Sequence, residues 1–148
     1  MLIINLTQHA ATPDQIDDGV RNLAPDELSA LRGALTFDEL PSAEEISARA
    51  EFIANLAVNN GLGDDDDDPF PDAAMIGGAP YLMSALEREL TAIGIKPVYA
   101  FSIRESQEVD LGNGQIEKRA VFRHAGFVDA VLEDPRQSHD EDGPDSPR

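Results

Sequence analysis

Apolar residues fall along this chain in two rhythms. Short, nearly unbroken apolar runs stand at 2–6 (LIINL), 73–76 (AAMI) and 98–103 (VYAFSI). Runs of that length, bounded by glycine or polar residues, predict buried strands. Asn5 is a polar interruption in the first of them. Elsewhere the apolar positions recur at three- and four-residue steps, which predicts helices. In the stretch from Pro80 to Ile93, Leu82, Ala85, Leu86, Leu90 and Ile93 share one face, and Gly94 stands where a helix ends. Glycine suits that C′ place because it takes positive φ without a Cβ clash. From Ser42 to about Val58, Ile46, Ala50, Ile53, Ala54 and Ala57 form a second such face. Ser42 is its expected N-cap, with Glu45 at the capping-box position. Pro25 opens another helix, PDELSALRGAL, with Asp26 and Glu27 in its first turn. A short helix starts at Thr12-Pro13-Asp14-Gln15, again with a capping box, and ends near Gly19. Val20 to Leu23 fits one more short strand.

The order of these elements sets the fold class. Strand, glycine turn, helix and strand from Ala73 to Ile103 make a βαβ unit, and such crossovers join parallel strands of one sheet. The expected architecture is α/β: one Rossmann-like domain over residues 1–128, with a mostly parallel central sheet between helices in three layers. Two arms around Gly112-Asn113-Gly114, spanning 106–123, predict a C-terminal β-hairpin with an Asn-Gly turn. In its second arm, Ala120 and Phe122 share one face, and Arg119, Val121 and Arg123 the other. Phe127 is the last expected core residue. From Asp129 to Arg148 acids and prolines dominate, and this segment is expected to be a disordered acidic tail outside the fold. His139 lies in it. Asp64 to Asp68, set among glycine and proline, reads as a solvated loop and not as a cation site, since its spacing is not that of an EF-hand.

Charge narrows the range of partners. The 148 residues carry a net charge of −18, which argues against extended DNA or RNA binding. Five of the 11 Lys and Arg residues, Lys96, Arg104, Lys118, Arg119 and Arg123, fall between 96 and 124. A small anionic ligand in a local basic pocket remains compatible with that pattern. There is no cysteine, so disulfides, thiolate metal sites and thiol nucleophiles are excluded. The N-terminus lacks the basic and long apolar regions of a signal peptide, and no run approaches a membrane span. A cytoplasmic protein with no metal and no cofactor is the expectation.

Candidate chemistry collects at the strand ends. In open α/β sheets, ligands bind beyond the carboxyl ends of the strands. Thr7, Gln8 and His9 follow the first strand, Gly77 and Gly78 the second, and Ser102 and Arg104 close the third. A glycine turn lets backbone approach an anion, and a helix N-terminus adds unpaired N–H groups. Tight packing at a strand–helix turn explains Gly77-Gly78 equally well. Histidine titrates near neutrality, so His9 and His124 are candidate proton carriers; a loop histidine with no task is the simpler account of His9. Arg104 offers a fork of donors to a phosphate, or pairs with Glu105, Glu108 or Glu117.

The segments MIGGAPYLMSALERELTAIGIKPVYAFSIRES and DLGNGQIEKRAVFRHAGFV, with the opening NLTQHAATPDQ, resemble small CRISPR-associated Rossmann-like (CARF-type) proteins. The likeness covers about the first 15 residues and residues 73–128. It implies a homodimer that binds a cyclic oligoadenylate second messenger across its two-fold axis. Some stand-alone members are ring nucleases, which cleave that messenger without metal. The resemblance then implies catalytic roles for His9, Arg104 and His124, and ligand contacts from Thr7, Gln8, Gly77, Gly78 and Ser102. A non-catalytic nucleotide-binding protein and an acidic interaction protein are the alternatives.

The tail generates the first prediction. Residues 129–148 hold almost no apolar surface, so truncation after Val128 is expected to leave the melting temperature nearly unchanged. A large drop would show that the tail docks.

Overall fold

In the computed structural model, residues 1–59 and 70–131 are described. The Asp64–Asp68 run and residues 132–148, including His139, lie outside them. The elements follow in the order β1 (Ile3–Leu6), α1 (Pro13–Asp17), β2 (Val20–Asn22), α2 (Pro25–Leu35), α3 (Ala43–Val58), β3 (Ala73–Ile76), α4 (Pro80–Ala92), β4 (Lys96–Asp110) and β5 (Ile116–Asp129). The strands form one mixed sheet in the order β2-β1-β3-β4-β5. The first four are mutually parallel, and β5 runs antiparallel to β4. The expected α/β class and mostly parallel sheet are therefore present.

The two faces of the sheet are covered unequally. Ile4, Leu6, Ala74 and Ile76 point to one side, where they meet Leu31 and Leu35 of α2, Ala50, Ile53, Ala54 and Ala57 of α3, and Leu82, Met83, Leu86 and Leu90 of α4. This is the main core, and the three- and four-residue spacing of those helices is what supplies it. Ile3, Ala73, Met75 and Val98 alternate to the other side and, with Val20, form a second, smaller cluster. Only the short α1 and the loop before it stand there, with Ala11 and Phe127 packed against the cluster. Against the expected three full layers, three of the four helices share one face.

Local chemistry fixes the ends. Thr12 caps α1 in a reciprocal capping box with Gln15. Ser42 accepts from the Glu45 N–H at 3.1 Å, but the Glu45 carboxylate turns outward to Arg49 at 2.7 Å, so the expected box is only half made. After α4, Gly94 takes φ +84°, the Gly94 N–H donates to the Thr91 carbonyl and the Ile95 N–H to that of Leu90. That pair of bonds is the Schellman closure, and it turns the chain straight into β4.

The largest departure from expectation is β4. The strand at 98–103 and the first hairpin arm are one uninterrupted strand of 15 residues. No glycine or proline interrupts it between Val98 and Asp110, and Pro97 sits near its start, where a missing N–H is tolerated. Pairing with β3 ends at Val98, whereas pairing with β5 continues to Asp110. Beyond its base, the hairpin is thus a two-stranded arm. A bulge interrupts the register between Phe101 and Ser102 and leaves Ala125 without an opposite residue. The tip is wider than a two-residue Asn-Gly turn: Leu111 N–H donates to Gln115 O, and Gly112 and Gly114 both take positive φ. The base is tied on both sides. The Tyr99 hydroxyl donates to Glu87 of α4 at 2.7 Å; burial, then that acidic partner, pushes it well above its usual pKa. Strand β5 reaches Asp129, and Ala130 N–H donates to Pro97 O, so the fold runs past the expected boundary at Val128, and truncation there removes these contacts as well as the tail. No helix among the described residues is long and apolar enough to cross a membrane.

Gly19 joins α1 to β2 at φ +106°, and a Cβ there would collide with the Met1 carbonyl oxygen. Its own carbonyl accepts the Ile3 N–H at 3.0 Å, so the collision cannot be relieved without disturbing β1. Gly19→Ala is expected to lower stability by about 1–3 kcal/mol in urea unfolding.

Candidate functional site

Asn5 is the one polar residue buried as a whole among the described residues, at 2% exposure. Every hydrogen-bonding position of its amide is used. The Nδ2 group donates to the His9 carbonyl at 2.7 Å and to Asn22 Oδ1 at 2.9 Å. The Oδ1 atom accepts the Thr7 N–H at 2.9 Å and the Thr7 hydroxyl at 2.7 Å. Asn22 Oδ1 also accepts the Ala11 N–H at 3.0 Å. Asn5 and Asn22 are paired residues of adjacent strands, which places their amides side by side. A fully satisfied buried amide fixes what it touches. Here it fixes the loop from Thr7 to Ala11 over the carboxyl ends of β1 and β3.

That loop forms one wall of a cavity of about 390 Å³. Thr7, Gln8, His9 and Ala10 line it, with Thr12 and Gln15 from the start of α1. Met75, Ile76, Gly77 and Gly78 close it from β3, and Ala100 from β4. The two glycines differ in what they do. Gly78 takes φ +156°, where a side chain is disfavoured, and a Cβ there would also press on the end of the Met83 side chain at 3.3 Å. A Cβ on Gly77 would meet only Thr7 Cγ2, at an ordinary 3.5 Å. Packing therefore does not require glycine at 77, and its missing side chain leaves the cavity open. Just beyond it, α4 begins at Pro80 with no side-chain cap. Pro80 has no N–H, and the Leu82 and Met83 N–H groups both donate to the Ala79 carbonyl at 3.0 Å, so Tyr81 carries the one first-turn N–H without a partner among the described residues.

Among the described residues, His9 is the one titratable side chain lining the cavity, and neither lysine nor arginine lines it. The structure thus joins Thr7, Gln8, His9, Gly77 and Gly78 but separates the other three candidates from them. Ser102 lies past the bulge, exposed, opposite His124. Arg104 lies further along the arm, opposite Phe122, and is exposed. It makes no ion pair among the described residues: Glu105 takes Arg123 at 3.6 Å, and Glu117 takes Arg119 at 3.1 Å. The strand carries Arg104 outward because β4 does not end at Ile103. The His124 ring is only 6% exposed. Its Nε2 is 2.8 Å from Asp18 Oδ2, its ring packs on Phe127, and its Nδ1 has no partner among the described residues. His124 ties β5 to the end of α1. No group of three metal-ligating side chains occurs among the described residues.

Residues 1–128 match the family described as "Uncharacterized protein MJ1673 family". The chain belongs to that family. No curated protein and no solved structure matches it.

Removing the Asn5 amide takes a hydrogen-bonding partner from Thr7, Asn22 and the His9 carbonyl. Asn5→Ala is expected to cost about 1–3 kcal/mol of stability, the penalty for buried groups left unsatisfied. Amide exchange at Thr7 and Ala11 should rise with it. Unchanged protection at both would show that the loop is held by something else.

Proposed function

We propose that this chain binds a small anionic nucleotide in the cavity between the Thr7–Ala11 loop and Gly77-Gly78. The observation that carries the reading is a fixed crevice at the carboxyl ends of parallel strands, beside an uncapped helix start. A phosphate oxygen is a natural partner for the free Tyr81 N–H at that helix start, and an open glycine lets it approach the turn. The resemblance to CARF-type Rossmann-like proteins names the ligand as a cyclic oligoadenylate, the assembly as a homodimer and the compartment as the cytoplasm. Affinity would come from backbone donors, the Thr12 hydroxyl and the amides of Gln8 and Gln15, with no Lys or Arg lining the cavity among the described residues.

Ring cleavage is a second reading, favoured by one observation: His9 lines the cavity. In that reaction a ribose 2′-oxygen attacks the neighbouring phosphorus, the bond to the 5′-oxygen breaks, and a 2′,3′-cyclic phosphate forms. The 2′-hydroxyl proton leaves to a base, and the departing 5′-oxygen gains one. His9 would carry such a proton. Arg104 and His124 have no part in this reading, because neither lines the cavity.

The test is incubation with a panel of cyclic oligoadenylates, reading both retention and cleavage. Gly77→Val, which fills the crevice without a forced backbone, is expected to weaken retention by about tenfold or more, the loss of one or two hydrogen bonds to charged groups. Its melting temperature should stay near the parent's. His9→Ala should retain ligand; if the parent cleaves, this variant should not. A parent that retains none of the panel removes the nucleotide reading.

A further inference from the structure

The hairpin arm is the feature that nothing above explains. From Tyr99 to Asp110, β4 has β5 on one edge and no strand on the other among the described residues. Those twelve residues span roughly 40 Å at about 3.3 Å each. Two-stranded ribbons are marginal in water unless a third strand or a packed layer supports them. Yet Phe101 and Phe122 on the arm are 52% and 74% exposed, and Ile103 and Ile116 are exposed with them. The two edges are not equivalent. The outer edge of β5 is broken by the bulge at Ala125 and carries Lys118, Arg119 and Arg123, devices that discourage pairing. The open edge of β4 has no proline, glycine or lysine between Val98 and Leu111.

Charge says which partner fits that edge. Residues 96–129 hold five bases and five acids, so the net −18 is carried entirely by the rest of the chain. Two copies can meet arm to arm without bringing their acidic bodies together.

Sequence says how they would meet. An antiparallel pairing of β4 with its own copy has a two-fold axis at one residue, and residues equidistant from it face each other. With the axis at Ser106, Arg104 faces Glu108, Ile103 faces Val109, Phe101 faces Leu111 and Glu105 faces Gln107. Cation meets acid and apolar meets apolar, each twice. Moving the axis to Glu105 sets that acid against itself and Ile103 against Gln107. Moving it to Gln107 keeps Arg104 opposite an acid, Asp110, and Ile103 opposite Leu111, but sets Glu105 against Val109 and Phe101 against Asn113 at the tip, so fewer pairs match.

We propose that the open edge of β4 pairs antiparallel with β4 of a second copy, about a two-fold axis at Ser106, giving a four-stranded β5-β4-β4-β5 ribbon. Arg104 then acts in assembly: it answers Glu108 across the axis. The inference rests on the homodimer part of the functional reading and is independent of the ligand.

The experiment measures the mass of the full chain in solution by light scattering, across a micromolar dilution series. The parent is expected at twice its 16.0 kDa. Arg104→Glu and Glu108→Arg should each raise the dimer dissociation constant roughly tenfold or more, since each places like charges opposite one another at two symmetric positions. The double variant should return it to near the parent's value. Circular dichroism checks that the variants fold, which exposed positions permit. A second measurement uses the absence of native cysteine. Ser106→Cys should form a covalent dimer under mild oxidation, because the axis places residue 106 opposite itself within disulfide reach. Asn113→Cys, at the arm tip, should form no covalent dimer. A monomeric parent overturns both the dimer and this interface. A dimer that tolerates both single reversals, a double variant that stays weak, or cross-linking no faster at 106 than at 113 overturns the interface alone. Ligand retention is scored separately and bears on neither outcome.

Discussion

The site depends on burying a single amide. Asn5 sits in a strand whose other residues are apolar, in a layer with little else to pack on it. Water cannot reach the amide to satisfy it, so protein groups must, and the groups that do so are the Asn22 side chain and the backbone and hydroxyl of the following loop. An unsatisfied amide there would be costly, which makes one loop conformation much better than others. The cavity is shaped by that choice. Its outer wall is a loop tied down from below, and its inner wall is the turn after β3.

Unequal coverage of the sheet follows the same logic. The strands β1 and β3 are apolar on both faces, which is why they read as continuous runs. Three amphipathic helices bury one face. The other receives only α1, whose five residues bury nothing themselves. Closure there relies on Ala11, which Asn22 holds through its N–H, and on Phe127, which the curl of β5 brings over the second cluster. The His124–Asp18 contact then joins β5 to α1. Polar contacts position the cover that helices provide on the other side.

The parts that could be read from sequence are those governed by local rules. The apolar runs at 2–6 and 73–76, the helix faces of α3 and α4, the cap at Thr12 and the glycine stop at Gly94 each follow from nearby residues. So did the gathering of Thr7, Gln8, His9, Gly77 and Gly78, because parallel strands must end on one side. Ser102, Arg104 and His124 were misplaced for one reason: the end of β4 is not marked locally. Residues 104–110 alternate polar and apolar weakly, and nothing in them tells a strand that continues from one that stops and restarts. Asn5 and Asn22 carried a usable signal, two asparagines inside adjacent strands, but their contact depends on register, which single strands do not reveal. Gln15 was read as a cap and is also a cavity wall; the two roles use the same turn.

The continuity of β4 has a mechanical side. Ala100 is a wall of the cavity and Phe101, the next residue, begins the arm. A β-strand is stiff along its length, and the register break beside Phe101, where a bulge alters twist, is the natural fulcrum. Tyr99, gripped by Glu87, lies just on the body's side of it. The arm and the cavity wall are therefore two ends of one lever. One peptide bond joins them, with no loop between.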